Sequence, residues 1–171
     1  INFVDGLDGL AAGVSAIAFI TFFVLINYQL LHSVPAAKNA LILAMVLCAI
    51  GAGSCLGFLP FNFNPAKIFM GDTGSQFLGF LMASVTIIAS IKGRAAMAIL
   101  IPLVAIGVPI FDVVSAVIRR YKKGQPITKP DKHHLHHELL ALGLSAKQAV
   151  IVIYCLSGLL GWLAVAVARK G

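Results

Sequence analysis

The sequence predicts an all-α integral membrane protein, about five transmembrane helices forming part of a larger multi-helix bundle. Three observations carry that prediction. Of 171 residues, 60% are hydrophobic and 11% charged, and the mean hydropathy is +0.97. Apolar runs longer than about 18 residues recur, each enough to cross a hydrocarbon core of about 30 Å as a helix. Inside a bilayer a segment must satisfy its own backbone hydrogen bonds, which a helix does within itself.

The expected helices cover roughly residues 9–31, 40–60, 75–91, 95–118 and 148–168. The first, second and fifth are almost unbroken apolar runs. The third begins just after the polar stretch MGDTGS, where glycines flank an acid. The fourth contains Pro102 and Pro109, so a kink or a broken turn is expected there. Residues 1–171 read as a single membrane domain, with cytoplasmic loops at 1–8, 61–74 and 119–147. The chain starts with Ile1 inside what reads as a functional loop, so it is expected to be the C-terminal part of a longer protein.

Five crossings put alternate loops on alternate sides. Loops 1–8, 61–74 and 119–147 hold eight of the 13 Lys and Arg, and the opposite side, at 32–39, 92–94 and 169–171, holds five. The excess points the first set toward the cytoplasm. The net charge of +7 thus reflects cytoplasmic loops, and nucleic acid is not an expected partner. Cys48, Cys55 and Cys155 all fall in apolar runs without a metal-type spacing, so they read as small buried hydrophobes.

The six acids are distributed unevenly. Asp5, Asp8, Asp72, Asp131 and Glu138 all lie in the cytoplasmic loops, and Asp112 lies in the fourth helix near its cytoplasmic end. His133, His134, His136 and His137 share that side, and only His32 does not. Solvated loops would scatter acids over both faces, so the convergence marks a site.

In VDGLDGLA, Asp5 and Asp8 are three apart, which on a helix places both side chains on one face, with Gly6 and Gly9 leaving the backbone accessible. Such a pair can hold a hard cation or accept a proton; the alternative is an N-terminal helix cap. In FNFNPAKIFMGDTGSQFLGF, Asp72 stands at a helix start whose backbone N–H groups suit a phosphate. A carboxylate there needs a divalent cation to bridge it to that phosphate, which implies Mg²⁺. Phe69 and Asn62 offer a stacking face and an amide for a base. The alternative is a capped helix start with a buried Phe. In PIFDVVSAVIRRYKKG, Asp112 is either chemical or paired with a cation such as Arg119. In KPDKHHLHHELL, a helix would gather the four imidazoles on one side. With Arg and Lys flanking them they suit a diphosphate better than zinc, the alternative being a solvated polar loop.

The order NFVDGLDGLA, NFNPAKIFMGDTGS, PIFD and DKHHLHH resembles four successive signatures of the polyprenyl-phosphate N-acetylhexosamine-1-phosphate transferases, the glycosyltransferase 4 type of bacterial envelope synthesis. Together these stretches span residues 2 to 137. The resemblance implies a multi-helix bundle in the bacterial inner membrane with an active site facing the cytoplasm. It implies transfer of a sugar 1-phosphate from a UDP-N-acetylhexosamine to undecaprenyl phosphate, with release of UMP. Mg²⁺ is the expected cofactor and Mn²⁺ its substitute; the lipid bilayer and a homodimer are further expected partners. It makes Asp72 the magnesium ligand, with Asn2 near the same ion, and gives Asp5, Asp8 and Asp72 the catalytic roles. Gly6, Leu7, Asn62 and Phe69 would hold the nucleotide, and Arg119, Arg120, His134, His136 and His137 the sugar and diphosphate.

The His-x-His-His signature is similar to the branch that uses UDP-N-acetylglucosamine (UDP-GlcNAc) to start teichoic acid, O-antigen or related polymers. The peptidoglycan branch, with phospho-N-acetylmuramoyl-pentapeptide transferase activity, usually shows three adjacent histidines followed by Phe and Glu, which this chain lacks. Two departures stand out. The family's upstream Asp-Asp motif is absent, so the chain alone is expected to be inactive, and Glu138 stands where a basic or neutral residue is expected. A divalent-cation transporter is the competing reading from another class.

Overall fold

The computed structural model describes residues 1, 5–90, 107–122 and 135–169. The described residues form six helices: α1 (Leu10–Leu31), α2 (Pro35–Asn62), α3 (Gly71–Ser90), α4 (Gly107–Lys122), α5 (Leu135–Ala141) and α6 (Ala146–Ala168). Three of them, α1, α2 and α6, with 22, 28 and 23 residues, are long and apolar enough to cross a membrane. The protein is an all-α membrane protein.

Helix α1 is the central element. Its buried residues run from Leu10 to Ile26 and point in all directions around the axis, the pattern of a helix enclosed by others. On one side α2 and α3 cover it, with Phe19, Phe22 and Ile26 packed among Ala44, Cys48 and Cys55 of α2 and Leu78, Met82 and Val85 of α3. On the other side lies α6, where Val150 and Ile153 meet Leu10 and Val14, and Ala164 meets Leu25. Helix α6 therefore runs parallel to α1. The Gly9–Asn62 contact at one end and the Phe19–Gly51 contact further along make α2 antiparallel to it. Helices α4 and α5 pack on α6.

Between apolar helices in lipid, association depends on close packing and interhelical hydrogen bonds. Small residues supply that closeness here. A Cβ on Gly51 would sit 2.8 Å from the Phe19 ring, one on Gly13 would overlap the Tyr154 ring, and one on Gly161 would overlap the Thr21 side chain. The outer faces of α2, α3 and α6 stay apolar, with Leu43, Phe80 and Trp162 among the exposed side chains, as a lipid environment requires.

Several boundaries differ from expectation. Helix α2 begins at Pro35 rather than near 40, because proline at the first helical position has its φ already set and no N–H to leave unpaired. It also continues past Pro60 to Asn62. Pro109 falls in the first turn of α4, where a missing N–H breaks no helical bond; Pro102 lies outside the described residues, as does most of the expected segment 95–118 before Gly107. The seven-residue α5 falls in KPDKHHLHHELL, within the expected loop 119–147. Cys48 and Cys55 are buried, but Cys155 faces outward from α6, so only two of the three cysteines fill the interior.

Candidate functional site

The site grows from a joint where α1 begins and α2 ends. Gly9 caps α1 with φ +81 and ψ −15, a left-handed conformation that costs a side-chain-bearing residue energy and glycine none. Its N–H donates to Asn62 Oδ1 at 3.1 Å. The Asn62 amide in turn donates from Nδ2 to the Ile68 carbonyl at 2.9 Å. Asn62 is 4% exposed, and both ends of its side chain are spent on the protein. The following loop curls back over the α2 terminus, with Lys67 N–H donating to the Phe61 carbonyl at 2.8 Å.

Residues 5–9 form a turn, so the helical case in which Asp5 and Asp8 share one face does not apply. Two glycines within five residues, one of them left-handed, oppose helix there. Neither acid caps α1, whose cap is Gly9 without a side-chain bond. The turn sends the two carboxylates to different neighbours. Asp8 Oδ2 accepts from Asn64 Nδ2 at 3.1 Å and from the Ala66 N–H at 3.0 Å, which binds the opening turn to the 63–70 loop. Asp5 lies within electrostatic reach of Asp72. Burial first, and the Asp72 charge second, hold its carboxyl above the usual carboxylate range.

Asp72 stands in the first turn of α3, after Gly71 at φ +68, and it is exposed. Its carbonyl accepts from the buried Ser75 hydroxyl at 3.1 Å, which braces that turn. Phe69, 75% exposed, presents a free ring beside it in sequence. The alternative of a buried Phe is not what the structure shows. Gly6 is exposed, and Leu7 packs with Phe63, Leu135 and Leu139 on the Leu10–Val14–Val150–Ile153 cluster. That cluster draws the opening turn, the 63–70 loop and α5 to the same end of the helices.

The basic candidates are less fully placed. Arg119 and Arg120 occupy the last turn of α4, both half-buried. His136 and His137 lie on α5, but their side chains, like Asn2, Asp131, His133 and His134 as whole residues, lie outside the described residues. The same holds for the side chain of Asp112, which is on α4 as expected. Among the described residues no group of three or more His, Cys, Asp or Glu gathers as a metal cage. The Asp5 and Asp72 carboxylates, within electrostatic reach of each other, would instead suit Mg²⁺, which takes one or two carboxylates and completes its shell with water and phosphate oxygens.

Two participants were not expected from the sequence. Asn64, half-buried, positions Asp8; the signal for it is the Asn-Pro dipeptide, which marks a turn. Tyr154, on α6, donates its hydroxyl to the Gly9 carbonyl. Its signal is a tyrosine inside an apolar run, since a buried phenol needs an acceptor.

Residues 1–90 match the model of the family described as glycosyl transferase family 4. The chain is 46% identical over 154 residues to a probable undecaprenyl-phosphate N-acetylglucosaminyl 1-phosphate transferase of Bacillus subtilis, an overlap of 90% of this chain and 40% of that protein. It is 38% identical over 179 residues to a decaprenyl-phosphate N-acetylglucosaminephosphotransferase of Mycobacterium tuberculosis, covering 94% of this chain and 42% of the relative. A phospho-N-acetylmuramoyl-pentapeptide-transferase of Nostoc is 34% identical over 179 residues, with 99% and 43% covered. The chain thus spans well under half the length of these relatives.

Proposed function

The chain belongs to glycosyl transferase family 4, and from that premise we propose that the whole protein transfers N-acetylglucosamine 1-phosphate from UDP-GlcNAc to undecaprenyl phosphate. In this reading an oxygen of the lipid phosphate attacks the sugar-bearing phosphorus. The bond to the bridging oxygen breaks, and UMP leaves with that oxygen. The product, a lipid-linked sugar diphosphate, starts a cell-envelope polymer of the teichoic acid or O-antigen kind, on the cytoplasmic side of the bacterial cell membrane.

The observation that carries the reading is that Asp5 lies within electrostatic reach of Asp72, while Asp8 of the same opening turn ties that turn to the 63–70 loop, at one end of a membrane-spanning bundle. Two phosphate groups that must approach each other repel, and this is the main obstacle to their reaction. Asp72 and Asp5 would hold Mg²⁺, with Asn2 near it. When bound, the ion screens negative charge on the diphosphate, a contribution of several kcal/mol in related chemistry. The exposed Phe69 ring offers the uracil a stacking face, and the backbone at Gly6 and Leu7 in the opening turn would hold the rest of the nucleotide. Arg119, Arg120 and the histidines of 133–137 supply donors to the sugar diphosphate.

Identity to the Bacillus relative exceeds identity to the pentapeptide transferase, and the His-x-His-His pattern favours the same donor. A divalent-cation transporter would need acids spaced along the helices, whereas Asp5, Asp8 and Asp72 share one end. UMP release from UDP-GlcNAc by the full-length parent, with undecaprenyl phosphate as acceptor, tests the proposal. Asp72→Asn should lower turnover at least about 100-fold, the scale of a lost electrostatic stabiliser, while the exposed position leaves folding intact. Undiminished turnover in that variant defeats the mechanism. Faster turnover of the UDP-N-acetylmuramoyl-pentapeptide donor defeats the choice of sugar.

A further inference from the structure

We propose that Tyr154 is a positioning residue for this site, its hydroxyl holding the Gly9 carbonyl so that the Asp5–Asp8 turn stays fixed against the α2–α3 loop. The inference rests on the transferase reading above for its kinetic consequence, though not for its geometry.

Gly9 is gripped from two sides. Asn62, at the end of α2, takes its N–H, and Tyr154, a full two turns inside α6, takes its carbonyl. One peptide unit earlier, Asp8 begins its own bonds to Asn64 and Ala66. A left-handed residue between a turn and a helix is a natural pivot. Besides the Tyr154 hydroxyl, the bonds that tie the turn to α1 among the described residues are Leu10 N–H donating to the Leu7 carbonyl at 3.0 Å and Gly13 N–H donating to the Gly9 carbonyl at 2.9 Å.

The neighbouring sequence is arranged to admit the tyrosine. Gly13 lies one helical turn after Gly9, and a Cβ there would occupy the space of the Tyr154 ring and hydroxyl. The ring thus lies flush with the α1 backbone and reaches a carbonyl that a bulkier residue at 13 would deny it. A phenol in an apolar helix has few acceptors, and a backbone carbonyl already engaged by Gly13 N–H retains a second lone pair for it. Helix α6 contributes no other hydrogen bond to this turn among the described residues, so the link couples the carboxylate turn to a third spanning helix.

The test uses the full-length parent reconstituted in lipid. Tyr154→Phe removes only the hydroxyl and keeps the ring in its recess. Amide exchange of Gly6–Gly9 should accelerate roughly five- to tenfold, the equivalent of one neutral hydrogen bond, and kcat for UMP release should fall by a similar factor. KM for undecaprenyl phosphate should stay within about twofold, since neither Tyr154 nor Gly9 is assigned a contact with the lipid. Gly13→Ala, which keeps the hydroxyl but displaces the ring, should reproduce both changes and guards against a misfolded Tyr154→Phe protein. Exchange and kcat within about twofold of wild type in Tyr154→Phe overturn the proposal, as does a lowered melting temperature with kcat preserved. If the unaltered parent releases no UMP, the transferase reading falls, and the exchange measurement alone decides whether Tyr154 holds the turn.

Discussion

Asp72 lies within electrostatic reach of Asp5 and, together with burial, holds the Asp5 carboxyl above its usual range. Over the pH interval between the ordinary carboxylate value and the raised one, the folded protein keeps a proton that the unfolded chain has lost. Stability contributed by this group therefore declines as pH rises through that interval. A divalent cation reverses the preference, because it favours the ionised form.

Metal affinity should consequently depend on pH. Mn²⁺ titrated into the full-length parent and followed by electron paramagnetic resonance should bind more tightly as pH rises through the interval, then level off above it. Binding should release a proton to the buffer. Asp5→Asn should flatten the dependence and weaken binding at neutral pH, leaving Asp72 as the remaining ligand. A wild-type affinity that does not change with pH contradicts the pairing.

Asn62 carries more of the fold than its short side chain suggests. Replacing it with Leu keeps the volume but removes the partner of the buried Gly9 N–H and of the partly buried Ile68 carbonyl. Each unsatisfied group costs about 1–3 kcal/mol, so Asn62→Leu should destabilise the protein by about 2–4 kcal/mol in denaturant unfolding from detergent micelles. Asn64→Ala should cost only about 1 kcal/mol, because the Ala66 N–H still reaches Asp8.

These residues show what was legible in the sequence. Hydropathy located α1, α2 and α6 because long apolar runs leave few alternatives in a bilayer, and acid placement alone gathered Asp5, Asp8 and Asp72 into one region. The separate orientations of Asp5 and Asp8 were not legible, because a three-residue spacing cannot reveal the left-handed Gly9 that follows them. The partners of Asp8 and Gly9 were missed for a different reason. Asn64 and Tyr154 act through contacts between segments far apart in the chain, and a single sequence records their chemistry but not their meeting. Asn62 was read as an amide for a base, and its burial and its two protein bonds were not legible.

Ser157 offers a test of packing without function. Its hydroxyl is buried on α6 with no hydrogen-bond partner among the described residues. A buried polar group without a partner is unfavourable, so Ser157→Ala should be neutral or stabilise by up to about 1 kcal/mol, read as a higher melting temperature. A clear loss of stability would show that the hydroxyl has an acceptor after all, and would assign it a share in the α1–α6 interface.

The α1–α6 interface itself depends on Gly161 facing Thr21. A Cβ at 161 would overlap the Thr21 side chain, whose hydroxyl is already fixed by donating to the Ile17 carbonyl at 2.8 Å. The rotamer cannot yield without losing that bond, so the helices must separate instead. Gly161→Ala should therefore destabilise by about 1–3 kcal/mol, the usual range for overpacking. Thr21→Ala alone should cost less, since its hydroxyl bonds only within its own helix. The double variant should regain most of the loss, because removing the Thr21 branch restores room for the new methyl group. A double-mutant cycle by chemical unfolding measures this coupling directly. Additive effects would mean that the two residues do not touch, and that α1 and α6 are held at a different distance from the one the structure shows.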